Sequence, residues 1–221
     1  MARKLGVLTL GQTPRKDVTP TLQGILGKRV QIVEKGGLDG FSESGLLEVM
    51  AQDGEAQIET RLRSGAAITV RKEAILLRLV DGARQLASEC DAVLLLCSGE
   101  FPALAEACPR LIQPIHILRG AIHAVARRRL LGLIGPASDL EEAPGQWAPY
   151  APRVVCAAAS PYEPIEAAVR AGRDLAGQGA EVIYMDDMGF NERQRMAVAR
   201  SSKRPVLCAT TLTARVLREI L

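Results

Sequence analysis

Four short apolar runs, each closed by a polar residue or a glycine, constrain the fold of this chain more than any other feature. They are Leu5–Leu10 (LGVLTL) before Gly11, Asp91–Leu96 (DAVLLL) before Cys97, Leu130–Ile134 (LLGLI) before Gly135, and Glu181–Met185 (EVIYM) before Asp186. Runs this short and this continuously apolar read as strands buried on both faces of a parallel sheet. Between them lie stretches with helical spacing. Arg71–Glu89 places Ile75, Leu76, Leu79, Val80, Ala83 and Leu86 on one face, and Pro164–Gln178 ends just before Gly179. Strands alternating with helices predict an α/β architecture with helices on both faces of parallel sheets.

The remaining elements follow from weaker signals. Pro14 and Asp17 suit the start of a helix through about Leu26, Val30–Val33 a strand, Gly45–Asp53 a helix and Glu59–Thr69 a hairpin. Ile112–Ile117 reads as a strand and Leu118–Arg128 as a helix, whose last residues Arg127-Arg128-Arg129 are a solvated basic end. Ala137–Pro152 reads as a helix with a loop, Val154–Ala158 as a strand and Asn191–Ser201 as a helix. Pro205–Cys208 reads as a short strand and Thr211–Leu221 as a closing helix, with Thr210-Thr211 as its cap.

Bulk properties narrow the function classes. The 221 residues carry a net charge of +3, too small to argue for nucleic acid or a membrane, only 3% aromatics, which makes stacking on bases unexpected, and no stretch near the roughly 20 apolar residues of a membrane span. The basic start Met1-Ala2-Arg3-Lys4 is followed by an apolar run too short for a signal peptide, so a cytoplasmic protein is expected. Five cysteines at irregular spacing fit reduced thiols rather than a disulfide framework or a metal site. His116 and His123, the only histidines, lack ligand spacing and read as packed or surface side chains. No metal is expected.

The chain also repeats itself loosely. LGVLTLG resembles LLGLIGP at 130–136, and DAVLLLCSG resembles EVIYMDDMG, which suggests two similar lobes. In open parallel sheets ligands bind beyond the carboxyl ends of the strands. That places Cys97 and the Asp186-Asp187 pair at candidate sites. A thiol before Ser98-Gly99 and a helix start is in the setting that favours thiolate. Either Asp186 or Asp187 is expected to cap the next helix, leaving the other for chemistry. Ser98, Gly99, Met188 and Gly189 offer turn N–H groups to an anion. Thr13 and Arg15 could add a hydroxyl and a guanidinium at the first strand end, while Arg15, Arg71 and Lys72 are equally at home in surface roles.

At these motifs the sequence resembles the AroM family, a branch related to the aspartate/glutamate racemase superfamily. The resemblance spans almost the whole chain. It is carried by LGVLTLGQTPRKDVTP at 5–20, DAVLLLCSGEFP at 91–102, GAEVIYMDDMGFNERQR at 179–195 and RPVLCATTLTARVLREIL at 204–221. It implies two flavodoxin-like lobes related by pseudo-two-fold symmetry, with the site in the cleft between them. Residues 1–118 plus 205–221 are expected to form the lobe with Cys97, and 119–204 the lobe with Asp187. In the racemases two cysteines end equivalent strands and exchange protons with the substrate α-carbon, without metal or other cofactor. Cys97 matches the first of these positions; the second is Asp187, a departure from the two-cysteine pattern. Relatives with altered cysteines include decarboxylases and isomerases of small diacids. The resemblance thus implies a cofactor-independent racemase, isomerase or decarboxylase of a small carboxylic or amino acid, acting through Cys97 and Asp187. The alternative is a non-catalytic small-molecule (carboxylate) binding or regulatory protein on the same fold. A homodimer is compatible with either.

Overall fold

The computed structural model describes residues 3–52 and 54–221. Met1, Ala2 and Asp53, which enter the readings of the N-terminus and of a helix ending at Asp53, lie outside them. The chain divides into two compact units, the first running to Gln113 and the second Pro114–Ile220.

The first unit contains β1 (Arg3–Thr9), α1 (Thr19–Leu26), β2 (Val30–Gly36), α2 (Glu43–Val49), β3 (Gln57–Arg61), β4 (Ala67–Arg71), α3 (Lys72–Glu89), β5 (Ala92–Leu96), α4 (Pro102–Ala107) and β6 (Leu111–Ile112). Its main sheet is parallel, in the order β2-β1-β5-β6. Every residue of β5 is buried, which is why the strand reads as an unbroken apolar run. Ile75, Leu79, Ala83 and Leu86 of α3 are fully buried, and α3 packs on β1 along this stripe. The hairpin β3–β4 pairs antiparallel from Gln57↔Arg71 to Arg61↔Ala67, close to the expected pair.

The second unit contains α5 (Pro114–Ala126), β7 (Leu130–Gly135), a short 3-10 turn, α6 (Ala143–Trp147), β8 (Arg153–Ala158), α7 (Ile165–Gly177), β9 (Val182–Met185), α8 (Glu192–Ser202), β10 (Val206–Cys208) and α9 (Ala209–Ile220). Its sheet is again parallel, in the order β8-β7-β9-β10. Each unit therefore has one strand order, with β7, β8, β9 and β10 taking the places of β2's neighbour β1, of β2, of β5 and of β6.

The correspondence extends to individual residues. Leu5 pairs with Ala92 in the first sheet and Leu131 with Val182 in the second. The next residue along is a glycine in both. A Cβ on Gly6 would lie 2.9 Å from Leu86 Cβ, and one on Gly132 would lie 3.1 Å from Leu175 Cβ. Both glycines let a helix sit directly on the central strand. At the amino ends of these strands, Asp91 accepts a hydrogen bond from the Lys4 backbone N–H at 2.8 Å, and Glu181 accepts one from the Leu130 backbone N–H at 2.9 Å.

Several expectations are corrected. The closing strand and helix belong to the second unit, because β10 pairs with β9 from Val206↔Ile183 to Cys208↔Met185 and α9 packs on α5. The boundary falls at Gln113/Pro114 rather than at 118/119, since Pro114 starts α5. The strand expected at Ile112–Ile117 is thus only Leu111–Ile112. Pro14 and Asp17 precede α1 instead of opening it: Asp17 pairs with Arg15, and Pro20 takes the first-turn position. Thr210 lies within α9 rather than capping it, its hydroxyl donating to the Met188 carbonyl at 2.7 Å.

Two glycines give opposite expectations. Gly6→Ala forces a methyl against a buried Leu86 and should destabilise by about 1–3 kcal/mol. Gly24 lies exposed in α1 with nothing near its would-be Cβ, so Gly24→Ala should stabilise by about 0.5–1 kcal/mol. Urea unfolding of the two variants checks both signs; a neutral Gly6→Ala would contradict the close helix–strand contact.

Candidate functional site

The carboxyl ends of the central strands carry the candidate groups. In the shared register, Cys97 and Asp187 occupy the same position, directly past β5 and past the corresponding end of β9. Their local geometry matches. The Gly99 N–H donates to Cys97 Sγ at 3.3 Å, and the Gly189 N–H donates to Asp187 Oδ1 at 2.5 Å. In both turns the second residue on is a glycine whose N–H turns back to the side chain at the strand end.

The helix-capping expectation does not hold on either side. α8 is capped by Asn191, which accepts from the Gln194 N–H at 3.0 Å while Gln194 reciprocates at 3.0 Å, a complete capping box. Asp186 and Asp187 are therefore not caps. Beyond Cys97, α4 starts only at Pro102, so Cys97 does not sit at a helix N-terminus. The buried Gln113 closes that loop, accepting from the Phe101 N–H at 2.7 Å and donating to its carbonyl at 3.2 Å.

Asp186 instead meets the buried Trp147 and Tyr184. Trp147 Nε1 donates to Oδ2 at 2.9 Å and the Tyr184 hydroxyl to Oδ1 at 2.9 Å. Burial pushes the Asp186 carboxyl from an ordinary 3.8 up to about 6. The two hydrogen bonds pull against that shift, and the nearby Asp187 and Asp139 charges add to it. Burial, with the Asp186 charge next, likewise raises the Tyr184 phenol well above its ordinary value. This cluster was missed in the sequence. Its signal is the single tryptophan, whose buried indole N–H demands an acceptor.

The first strand end is knitted by Asp39. Asp39 accepts from the Thr13 N–H and hydroxyl, each at 2.8 Å, and from the Gly36 N–H at 2.8 Å. From the β3–β4 tip, Arg63 Nε donates to the Thr13 carbonyl at 2.5 Å. Arg78 donates to the carbonyls of Gly37 and Asp39. Arg15 is buried, its guanidinium forking onto Asp17 at 2.9 and 2.7 Å and donating to the Thr9 hydroxyl at 2.8 Å. A ligand carboxylate would have to displace Asp17 to reach it. Met188 is buried, and its carbonyl is the acceptor for Thr210; Ser98 and Gly99 are half-buried in the Cys97 turn.

The thiols differ in access. Cys97 and Cys156 are half-buried; Cys90, Cys108 and Cys208 are buried. Cys156 lies on β8, an edge strand of its sheet, which leaves this thiol partly exposed. His116 and His123 are both exposed on α5. Among the described residues no group of three or more His, Cys, Asp or Glu is arranged to hold a metal ion, and no helix is long and apolar enough to cross a membrane.

The family described as AroM protein matches residues 5–221. The chain belongs to the AroM family. No curated protein sequence matches it. Among solved structures, this AroM chain is similar to arylmalonate decarboxylase at 15% identity, with 97% of this chain and 92% of that chain covered and a TM-score of 0.61. It is similar to allantoin racemase from Pseudomonas fluorescens at 13% identity, covering 99% and 90%, with a TM-score of 0.59. It is also similar to a cysteine-to-serine mutant of Nocardia farcinica maleate cis-trans isomerase with a covalently bound succinylcysteine intermediate, at 13% identity, 99% and 92% coverage and a TM-score of 0.60. At these identities the likeness is one of fold.

The Asp186 environment predicts a pH dependence. Its folded pKa is raised, so between 3.8 and about 6 the native AroM chain keeps a proton that the unfolded chain has lost. Stability from this group is therefore present below that window and lost as pH rises through it, by about 3 kcal/mol at most. Asp186→Asn keeps an acceptor for Trp147 and cannot ionise. The urea stability of wild type minus that of Asp186→Asn should fall from pH 4 to pH 7; a flat difference would contradict the enclosed carboxylate.

Proposed function

We propose that this AroM protein is a cofactor-independent enzyme that moves a proton at a carbon next to a carboxylate of a small carboxylic or amino acid. Cys97 and Asp187 are its acid/base groups. The observation that carries this reading is their shared position at the ends of β5 and β9, each fixed by the N–H of a glycine two residues on. A strand-end side chain held by its own turn is presented without reorganisation, which proton transfer requires. In the reaction, the Cys97 thiolate takes the proton and becomes a thiol. The electron pair left on carbon is delocalised into the adjacent carboxylate. Asp187, as the carboxylic acid, returns a proton and becomes a carboxylate. The reverse reaction uses the same groups in opposite protonation states.

The neighbours support the class of chemistry. They include a racemase, a decarboxylase and an isomerase, and the isomerase carries a succinyl group bonded to a cysteine. Thr13, Arg15, Ser98, Gly99, Met188 and Gly189 are proposed to line the ligand, through turn N–H groups more than through Arg15, whose guanidinium Asp17 occupies. The carboxylate at the second position favours one competing reading, a protein of this fold that binds a small acid without turning it over.

Proton exchange in heavy water separates the two. Aspartate, glutamate, arylmalonate, maleate and allantoin are incubated with the protein and followed by proton NMR. Wild type should exchange hydrogen or isomerise at least one of them. Cys97→Ala should lower that rate by about 10²–10⁴, and Asp187→Asn by at least about tenfold. Exchange in none, with thermal stabilisation by one of the acids, would replace the catalytic reading by the binding one.

A further inference from the structure

Lys72, the first residue of α3, stands against the Cys97 turn. Its Nζ lies 4.7 Å from the centre of the Phe101 ring, and Phe101 is buried at the end of that turn. A point at the would-be Cβ of Gly99 is 3.6 Å from Phe101 Cε2 and 3.5 Å from Cys97 Sγ. Ammonium, aromatic ring, turn glycine and thiol thus follow one another in space. Other cations at this edge of the sheet are engaged by anionic or carbonyl oxygens: Arg15 by Asp17, Arg63 by the Thr13 carbonyl and Asp39, and Arg78 by the Gly37 and Asp39 carbonyls. Lys72 has no carboxylate partner among the described residues. An aromatic face holds a cation in place without neutralising it.

The same place in the second unit is filled differently. Leu86 and Leu175 lie under the equivalent glycines, and counting back along the chain from each sets Lys72 against Pro161. Pro161 and Tyr162 pack on the Asp187 turn, a Cβ on Gly189 lying 2.7 Å from Pro161 Cγ and 2.9 Å from the Tyr162 hydroxyl.

We propose that Lys72 receives a carboxylate of the ligand beside Cys97, which makes it the residue selecting anionic over neutral substrates at this turn. The proposal rests on Cys97 facing a small acid, as above, but asks only how Cys97 discriminates charge. Lys72's position on the ring, rather than in an ion pair, leaves its charge available to the ligand; a neutral amide or ester in the same place would gain little from it.

Two alkylating reagents that differ only in charge test this. Iodoacetate and iodoacetamide react alike, the thiolate sulfur bonding to the methylene as iodide leaves. Their relative rates at Cys97 are read by peptide mass spectrometry at low salt and normalised to the same ratio at glutathione. The normalised preference for iodoacetate should be several-fold, should fall about fivefold in Lys72→Met, and should be kept in Lys72→Arg. It should also shrink at high salt. Cys156 in the same digests is the control, and its ratio should not change. A ratio at Cys97 unaltered by Lys72→Met, a parallel change at Cys156, or a Cys97 that neither reagent labels would overturn the proposal. Because the readout needs no turnover, it stands or falls separately from the heavy-water experiment.

Discussion

The pairing of each unit's central strand with its neighbour fixes everything that follows. In the first unit β1 is flanked by β2 and β5, and in the second β7 is flanked by β8 and β9. Parallel strands buried on both faces cannot slip by one residue without turning apolar side chains into positions shaped for others. Gly6 and Gly132 tighten this further, since each accepts a leucine of the covering helix against the bare backbone. With register locked, the first residue past the strand is held in one place. That residue is Cys97 in one unit, and at the matching position Asp187 in the other.

The two turns share a backbone and differ in what surrounds it. Around Cys97 are Phe101, Gln113 and Lys72: a ring, a neutral amide that closes the loop and a cation. Around Asp187 are a second carboxyl, Asp186, with the phenol of Tyr184 and the indole of Trp147. Burial above all, with the neighbouring Asp187 charge adding to it, holds the Asp186 carboxyl up at about 6. One turn thus sets a thiol near a ring and an ammonium, and the other sets a carboxylate beside a second, buried carboxyl; under the proposed reaction these are a base and an acid. Such a division suits acid/base chemistry with distinct roles better than it suits two interchangeable thiols.

The strands of both sheets were legible because burial on two faces writes itself as an unbroken apolar run, as in LGVLTL and DAVLLL. The alignment of DAVLLLCSG with EVIYMDDMG was legible for the same reason, and it set Cys97 against Asp187. What escaped was long-range. Pro205–Cys208 carries no mark of which sheet it joins, because a three-residue strand has the same composition in either; only its pairing with β9 decides. Thr13 and Arg15 read as candidate ligands because their types suit anions, yet Asp39 and Asp17, local in sequence or brought near by β2, take up their donors. One of the two Asp186 oxygens is filled from Trp147, far along the chain, so no spacing rule announces that contact.

The β3–β4 hairpin shows how an insertion can specialise one unit without disturbing its sheet. It lies between α2 and α3, and the second unit has no paired strands at the corresponding place among its described residues. Its tip reaches the loop after β1: the Gln12 N–H donates to the Arg61 carbonyl at 3.0 Å, and the Arg63 N–H donates to the Gln12 side chain at 3.0 Å. A Cβ on Gly11 would lie 2.1 Å from the Arg61 carbonyl oxygen, so only glycine permits this contact. The strand β4 then runs directly into α3, and Lys72 is the residue at that junction. The Lys72 N–H donates to the Ala56 carbonyl at 2.9 Å, at the hairpin's other end. Lys72 is therefore held from two sides, by backbone pairing at its own amide and by Phe101 at its ammonium. A lysine on a free helix end spends its time in solvent, its rotamer entropy opposing any one placement. Here the hairpin fixes the stem and the ring fixes the head, so much of that cost is met before a ligand arrives.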